Sequence, residues 1–355
     1  MSLEPNLQNT DIKPASIHPR HINRLKILGI ILTIGGIGLF CYFVWSVGLN
    51  EILGNIQRFG IAGFAVILLI YFLRILMRSS AWMLAVYEPY KLGLRDTIPA
   101  VIIGEAMSNM LPLGILVSGT TKAVAVRKRV PLVVGLSSVA TENLFYSFTT
   151  SVFLMLGAFT FVRNFQLDDG SRLLVNVLIG ILAALVVLGV IMLIKQWHFA
   201  SEACEWLYRR GILKGLLEHR RSEVRLFENL IYGFYRRHPR RFLPIVLAEA
   251  AFHVLGVLEV WFILSRLSDG LLLNAFLLES ISRLITIVFK LVPFVVGVDE
   301  AGAQFVAETI AAGAGIGVTL AIIRKGRILF WTGVGLALIV KRGLSLRDLR
   351  RAATR

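Results

Sequence analysis

Glu279, Ser282, Arg283, Thr286 and Lys290 stand at offsets of 0, 3, 4, 7 and 11, which places them in one stripe along a helix. The stripe sets Glu279 and Arg283 for an i to i+4 ion pair and offers Arg283 and Lys290 as cations for a phosphate, which both residue types bind by charge-assisted hydrogen bonds. Three other stripes share this character. Glu105, Ser108 and Asn109 fall on one face, Ser138, Glu142, Tyr146 and Thr149 on a second, and Glu249, His253 and Gly256 on a third. Further along, Glu300, Gln304 and Glu308 recur every four residues, and Arg324, Lys325 and Arg327 interrupt an apolar run.

Each of these groups also has a plain structural reading. Glu279 with Arg283 can serve as a brace alone, and His253 as an interior hydrogen-bonder rather than a proton relay. Asp299 follows Gly297 at a helix start, where a carboxylate caps free amides, and Ser118 reads as the matching cap in the first half. Arg78 reads as a side chain snorkelling to an interface, Glu259 as interfacial or interior, and Arg74 as an interior charge.

What makes these residues informative is their surroundings. Of 355 residues 56% are hydrophobic, and several windows of twenty or more carry almost no charge, so the chain reads as a polytopic membrane protein. A charged side chain at the centre of a membrane helix costs roughly 2.5–3.5 kcal/mol on insertion scales, so each one retained there should be paired, water-facing or near an interface. The net charge of +16 would suggest nucleic acid in a soluble protein; here the basic residues cluster between apolar runs and read as loops facing anionic lipid. Cys41 and Cys204 provide neither a disulfide framework nor a metal cluster, and no nucleotide-binding loop occurs, so no cofactor or metal is expected. The polar N-terminus has no signal-peptide cleavage pattern.

Five segments read as straightforward crossings: 27–47, 61–86, 132–161, 173–194 and 242–264; a sixth, 316–340, carries the three central cations. Two apolar regions are broken, 98–126 at Pro112 to Gly119 and 271–313 at Pro293 to Gly297. The N-terminal tail, the ten basic residues of 196–241 and the tail beyond 340 belong on the cytoplasmic side by the positive-inside rule. The cluster of Lys122, Arg127, Lys128 and Arg129 joins them only if 98–126 enters and leaves on one side, as a re-entrant hairpin. Treating 271–313 alike gives six full helices plus two hairpins in an inverted-topology repeat, a layout that places substrates near the midplane; eight crossings with one hairpin fit the charges equally. The expected organisation is a tail over 1–26, membrane halves over 27–161 and 172–340, an amphipathic helix on the inner leaflet or a soluble connector within 196–241, and a basic tail over 341–355.

The stretches "LVPFVVGVDEAGAQFVAETI" and "LAIIRKGRILFWTGVGLALI" resemble the C-terminal signature of the lysylphosphatidylglycerol synthase transmembrane-region family, described as flippase-like. "GEAMSNMLPLGILVSGTTKAVAVRK" is similar to its other core motif, and "SSVATENLFYSF" to the helix bearing its acidic residue, here Glu142. The wording of "GVDEAGA" with "RKGRILFW" looks most like a branch associated with hopanoid biosynthesis, whereas Ser118, Gly119 and Thr120 stand where the commoner family wording has an acid after the proline turn. The resemblance implies lipid handling in a cell membrane, with membrane lipids of anionic or amphipathic headgroup as partners and no aminoacyl transfer, since that reaction belongs to a separate soluble domain. The expected headgroup path comprises Arg74, Glu105, Asn109, Glu142, Glu279, Arg283, Lys290, Asp299, Glu300, Gln304, Arg324 and Arg327, with Glu105, Asp299 and Glu300 balancing the cations or carrying protons. Two alternatives stand beside it: an accessory protein working with lipid-biosynthesis enzymes, and a polytopic lipid or glycosyl transferase using paired carboxylates.

Overall fold

Twelve α-helices, without a strand, make up the regular structure of the described residues, which in this computed structural model are 34–35, 37–110, 114–165, 169–195, 199–210, 221–268, 270–289, 292–309 and 315–342. They run as α1 (Ile37–Val47), α2 (Leu49–Leu84), α3 (Leu94–Met110), α4 (Gly114–Ala125), α5 (Leu132–Asn164) and α6 (Asp169–Lys195). The second half holds α7 (Phe199–Arg209), α8 (Arg221–Arg237), α9 (Phe242–Leu267), α10 (Leu272–Val288), α11 (Val298–Thr309) and α12 (Ile316–Lys341). Three segments are long and apolar enough to cross a membrane by length and composition: Leu49–Leu84, Leu132–Asn164 and Pro239–Leu267. The chain is an all-α polytopic membrane protein.

Local sequence explains where the helices begin. Pro131 precedes α5, and Pro244 occupies the first turn of α9, where an amide proton has no intrahelical partner to lose. The 36-residue α2 starts well before the expected crossing at 61 and bends at Gly60, whose φ of +68° suits a residue without Cβ. α3 and α11 open with one device: the Gly93 amide donates to Asp96 Oδ2 at 3.2 Å, and the Gly297 amide donates to Glu300 Oε2 at 2.7 Å. Each is the reciprocal half of a capping box. Glu300 therefore caps α11, in the role expected of Asp299.

The second break forms as expected. A 3₁₀ turn over Pro293–Val295 leads into Gly297 at φ +82°, and separates α10 from α11. In the first region Pro112 lies outside the described residues, and Gly119 is corrected: it sits inside the continuous helix α4 and breaks nothing. Ser118 is likewise interior to α4 and caps nothing, because the helix already starts at Gly114. At about 1.5 Å per residue the 12-residue α4 and α11 rise only about 18 Å, well short of a hydrocarbon core of about 30 Å.

The molecule is inverted relative to a soluble protein. Leu69, Leu156, Phe159, Leu185, Leu247 and Phe305 are exposed on the outside, as lipid solvation permits, while Arg74, Glu142, Glu249, Glu259, Glu279 and Glu300 are buried within the bundle. Small residues let the helices approach. A Cβ at Gly335 of α12 would stand 2.5 Å from Ala106 Cβ of α3, and one at Gly317 would stand 2.5 Å from Gln304 Cα of α11. α12 is thus wedged between the two broken regions. Within 196–241, the apolar side of α8 packs on the bundle: Phe234 is buried with Ala81, Ala85, Phe145 and Ile245.

Candidate functional site

Four helices contribute to a buried ionic centre. Glu279 of α10 accepts from three guanidiniums: Arg74 of α2 at 3.3 Å, Arg283 one turn on at 2.7 Å, and Arg324 of α12 at 2.8 Å. Glu259 of α9 accepts from Arg74 at 3.0 Å and from Arg327 of α12 in a short contact. Arg74 joins both carboxylates. Gly256 explains how α9 and α10 come this close, since a Cβ there would stand 2.6 Å from Glu279 Oε1. Removing ions from water costs several kcal/mol each, which mutual attraction and hydrogen bonds must repay; the shared carboxylates do so here by serving two and three cations.

A second group joins α2 and α9 to α4 and α5. Arg78 donates to Glu142 at 2.9 Å and to Asn143 at 3.2 Å, and Lys122 Nζ stands 3.6 Å from the other Glu142 oxygen. Arg78 therefore does not snorkel to an interface; a buried carboxylate and the face of Tyr146, 4.3 Å away, hold it inside. Glu249 of α9 abuts Glu142, with both of its own oxygens buried and without a donor among the described residues. The Phe252 ring joins the two groups, with the guanidinium carbons of Arg74, Arg283 and Arg78 at 4.4, 5.2 and 5.9 Å from its centroid.

The third group belongs to α11. Lys325 of α12 stands 2.7 Å from Glu300 Oε1 and 4.0 Å from Asp299 Oδ2, while Gln304 accepts from the Val318 amide at 3.3 Å and donates to Glu308 at 2.8 Å. Gln304 therefore caps the start of α12. Of the three residues that recur every four positions, Glu300 and Gln304 are committed to internal contacts, and Glu308 is exposed. Glu105 accepts from Tyr71 Oη at 2.9 Å, and that ring lies 4.1 Å from the Arg327 guanidinium, which ties the first half to the ionic centre.

Of the residues expected in the path, Arg74, Glu279, Arg283, Arg324 and Arg327 meet directly, Glu142 anchors the second group, Asp299, Glu300 and Gln304 the third, and Glu105 joins through Tyr71. Asn109 is half-buried near the end of α3, and Lys290 lies outside the described residues. His253 accepts or donates at Thr150 Oγ1, 3.1 Å away, between the rings of Tyr146 and Phe153. Sequence reasoning noted Lys325 but left it out of the path, passed over Phe252, and grouped Lys122 with the exposed loop cations. Lys122 differs from Arg127 in a visible way: it is flanked by Thr121, Ala123 and Val124, all buried, whereas Arg127 to Arg129 form an exposed basic run.

No curated protein and no solved structure matches the chain. A family model for the lysylphosphatidylglycerol synthase transmembrane region matches residues 26–336, and with that coverage of an all-helical, membrane-spanning chain, the protein belongs to this family.

Proposed function

We propose that the protein accepts an anionic or amphipathic lipid headgroup at the buried ionic centre and carries the lipid between leaflets, its acyl chains remaining in the bilayer. One observation carries the reading: four guanidiniums, those of Arg74, Arg283, Arg324 and Arg327, are bonded to only two carboxylates, Glu259 and Glu279. That leaves a formal surplus of two positive charges among these six side chains, in a setting where charge is expensive. Arg283 and Arg324 are its accessible members, at 13% and 10% side-chain exposure. A phosphate would satisfy the surplus through the planar donor forks that suit it. Family membership supports lipid handling, not a particular lipid or direction.

The test reconstitutes the purified chain in liposomes with labelled phospholipids of anionic, zwitterionic and cationic headgroup, and with a polycyclic lipid, which the wording of residues 297–303 and 324–331 brings into the panel. Leaflet exchange should accelerate for at least one class and fall at least tenfold in Arg283→Gln, Arg324→Gln protein. Absence of acceleration for every class in wild-type protein would reject translocation and favour the accessory role, and turnover of the lipid into a new product would favour a transferase.

A further inference from the structure

Glu249 lies wholly within the bundle and has no opposite charge in contact among the described residues. Its residue exposure is 0%, both oxygens are buried without a hydrogen-bond donor among the described residues, and its carboxyl faces that of Glu142 within side-chain hydrogen-bond reach. Two carboxyls in that position are two acceptors without a hydrogen between them. Arg78 and Lys122 cannot serve both, because each is directed at Glu142, at 2.9 and 3.6 Å. The remaining charged and titratable groups facing this part of α9 are accounted for: Arg74 and Glu279 with Arg283 are engaged with one another, Arg327 holds Glu259, Tyr146 stacks on Arg78, and His253, one turn along, is bonded to Thr150. A single proton on Glu249 removes its charge and supplies the missing hydrogen, so that Glu249 donates to Glu142.

We propose that Glu249 is the proton carrier of the transport cycle, taking up one proton together with one singly charged anionic lipid and releasing both on the other side of the membrane. The inference rests on the lipid-translocation reading above. With the proton on Glu249, the four side chains Arg78, Lys122, Glu142 and Glu249 sum to a formal charge of +1; without it they sum to zero. The positive state lies beside the ionic centre, linked to it through Phe252, and attracts an anionic headgroup that the neutral state holds less strongly. On release the O–H bond of Glu249 breaks, its electron pair stays on the carboxylate oxygen, and the proton passes to water; no electron donor or acceptor takes part. Glu142 is a positioning residue: Arg78 and Lys122 fix its carboxyl where it can accept from Glu249.

The experiment uses full-length protein in sealed liposomes containing fluorescent phosphatidylglycerol, with a pH difference of one unit across the membrane. Coupling of one proton per lipid drives asymmetry of up to about tenfold between leaflets, since one pH unit corresponds to a tenfold ratio. The asymmetry should vanish with nigericin, which collapses the pH difference, and persist with valinomycin, because the coupled step is electroneutral. Glu249→Gln, a neutral mimic, should still exchange lipid but without asymmetry, Glu249→Asp should restore it, and His253→Gln should leave it in place. Exchange in wild-type protein with no asymmetry, or asymmetry retained in Glu249→Gln, overturns the proton role while leaving translocation standing. Infrared spectra of the purified protein supply an arm that needs no transport: a protonated-carboxyl band present in wild type and lost in folded Glu249→Gln supports the assignment, and its absence from wild type overturns it.

Discussion

Replacing Glu279 by Gln removes the carboxylate on which the interior charge converges, with little change of volume. Its Oε1 takes Arg74 at 3.3 Å and Arg283 at 2.7 Å, its Oε2 takes Arg324 at 2.8 Å, and the residue is fully buried. Loss of one partner from a buried ion pair typically costs about 3–5 kcal/mol, because the remaining charge is left uncompensated. Here three cations lose their shared anion, and the formal surplus rises from two to three. We expect a loss of about 3–5 kcal/mol in reversible unfolding in mixed micelles, the Gln amide oxygen retaining one acceptor. The decisive comparison is a double-mutant cycle with Arg324→Gln. Removing both partners restores the original charge balance, so the double variant should be less destabilised than the sum of the singles by about 1–3 kcal/mol. A cost below about 1 kcal/mol for Glu279→Gln, or strict additivity, would refute a dry, mutually paired centre and imply that each group is solvated independently.

Two further expectations test how helices are held around that centre. Gly157→Ala would put a Cβ 2.5 Å from Ser280 Cβ, forcing α5 from α10; the cost should be about 1–3 kcal/mol, and Ser280→Gly in the same chain should recover most of it in the same unfolding assay. Gln304→Leu should cost about 1 kcal/mol through loss of the bond from the Val318 amide and raise amide hydrogen exchange selectively in the first turn of α12.

Periodicity and composition were enough to read the helical membrane class, the break at Pro293 to Gly297 and the stripe from Glu279, because these depend on spacing within one segment. The i to i+4 pair of Glu279 with Arg283 is such a case. Partners contributed by other helices were not legible in the same way. Arg78 and Arg74 are four residues apart on α2 and look alike in sequence; only the positions of α5 and α9 show that one meets Glu142 and the other Glu259. The cap of α11 illustrates a different failure. Asp299 and Glu300 are both acids in the first turn, and the choice between them depends on which side chain reaches back to the Gly297 amide. At Gly119, glycine composition suggested a break, whereas the residue lies within a helix that packs closely at other small positions, Ala123 against Gly135 among them.

The three cations of α12 acquire a common logic from their spacing. At about 100° per residue, positions 324, 325 and 327 point to three sides of the helix, and each meets a different element: Arg324 reaches Glu279 on α10, Lys325 reaches Glu300 on α11, and Arg327 reaches Glu259 on α9. Near its other end α12 lies against α3 at Gly335, and at its start against α11 at Gly317. Any displacement of α11 relative to α12 must therefore break the Lys325 to Glu300 pair, which would deprive the α11 cap of its counter-charge at the same time. A displacement of α12 against α9 and α10 must instead open the pairs of Arg324 and Arg327, exposing the guanidiniums that a phosphate would bind. The ionic contacts that make the interior costly to assemble are the same ones that a headgroup would replace under the proposed function, and that reading would couple occupancy to helix position through α12.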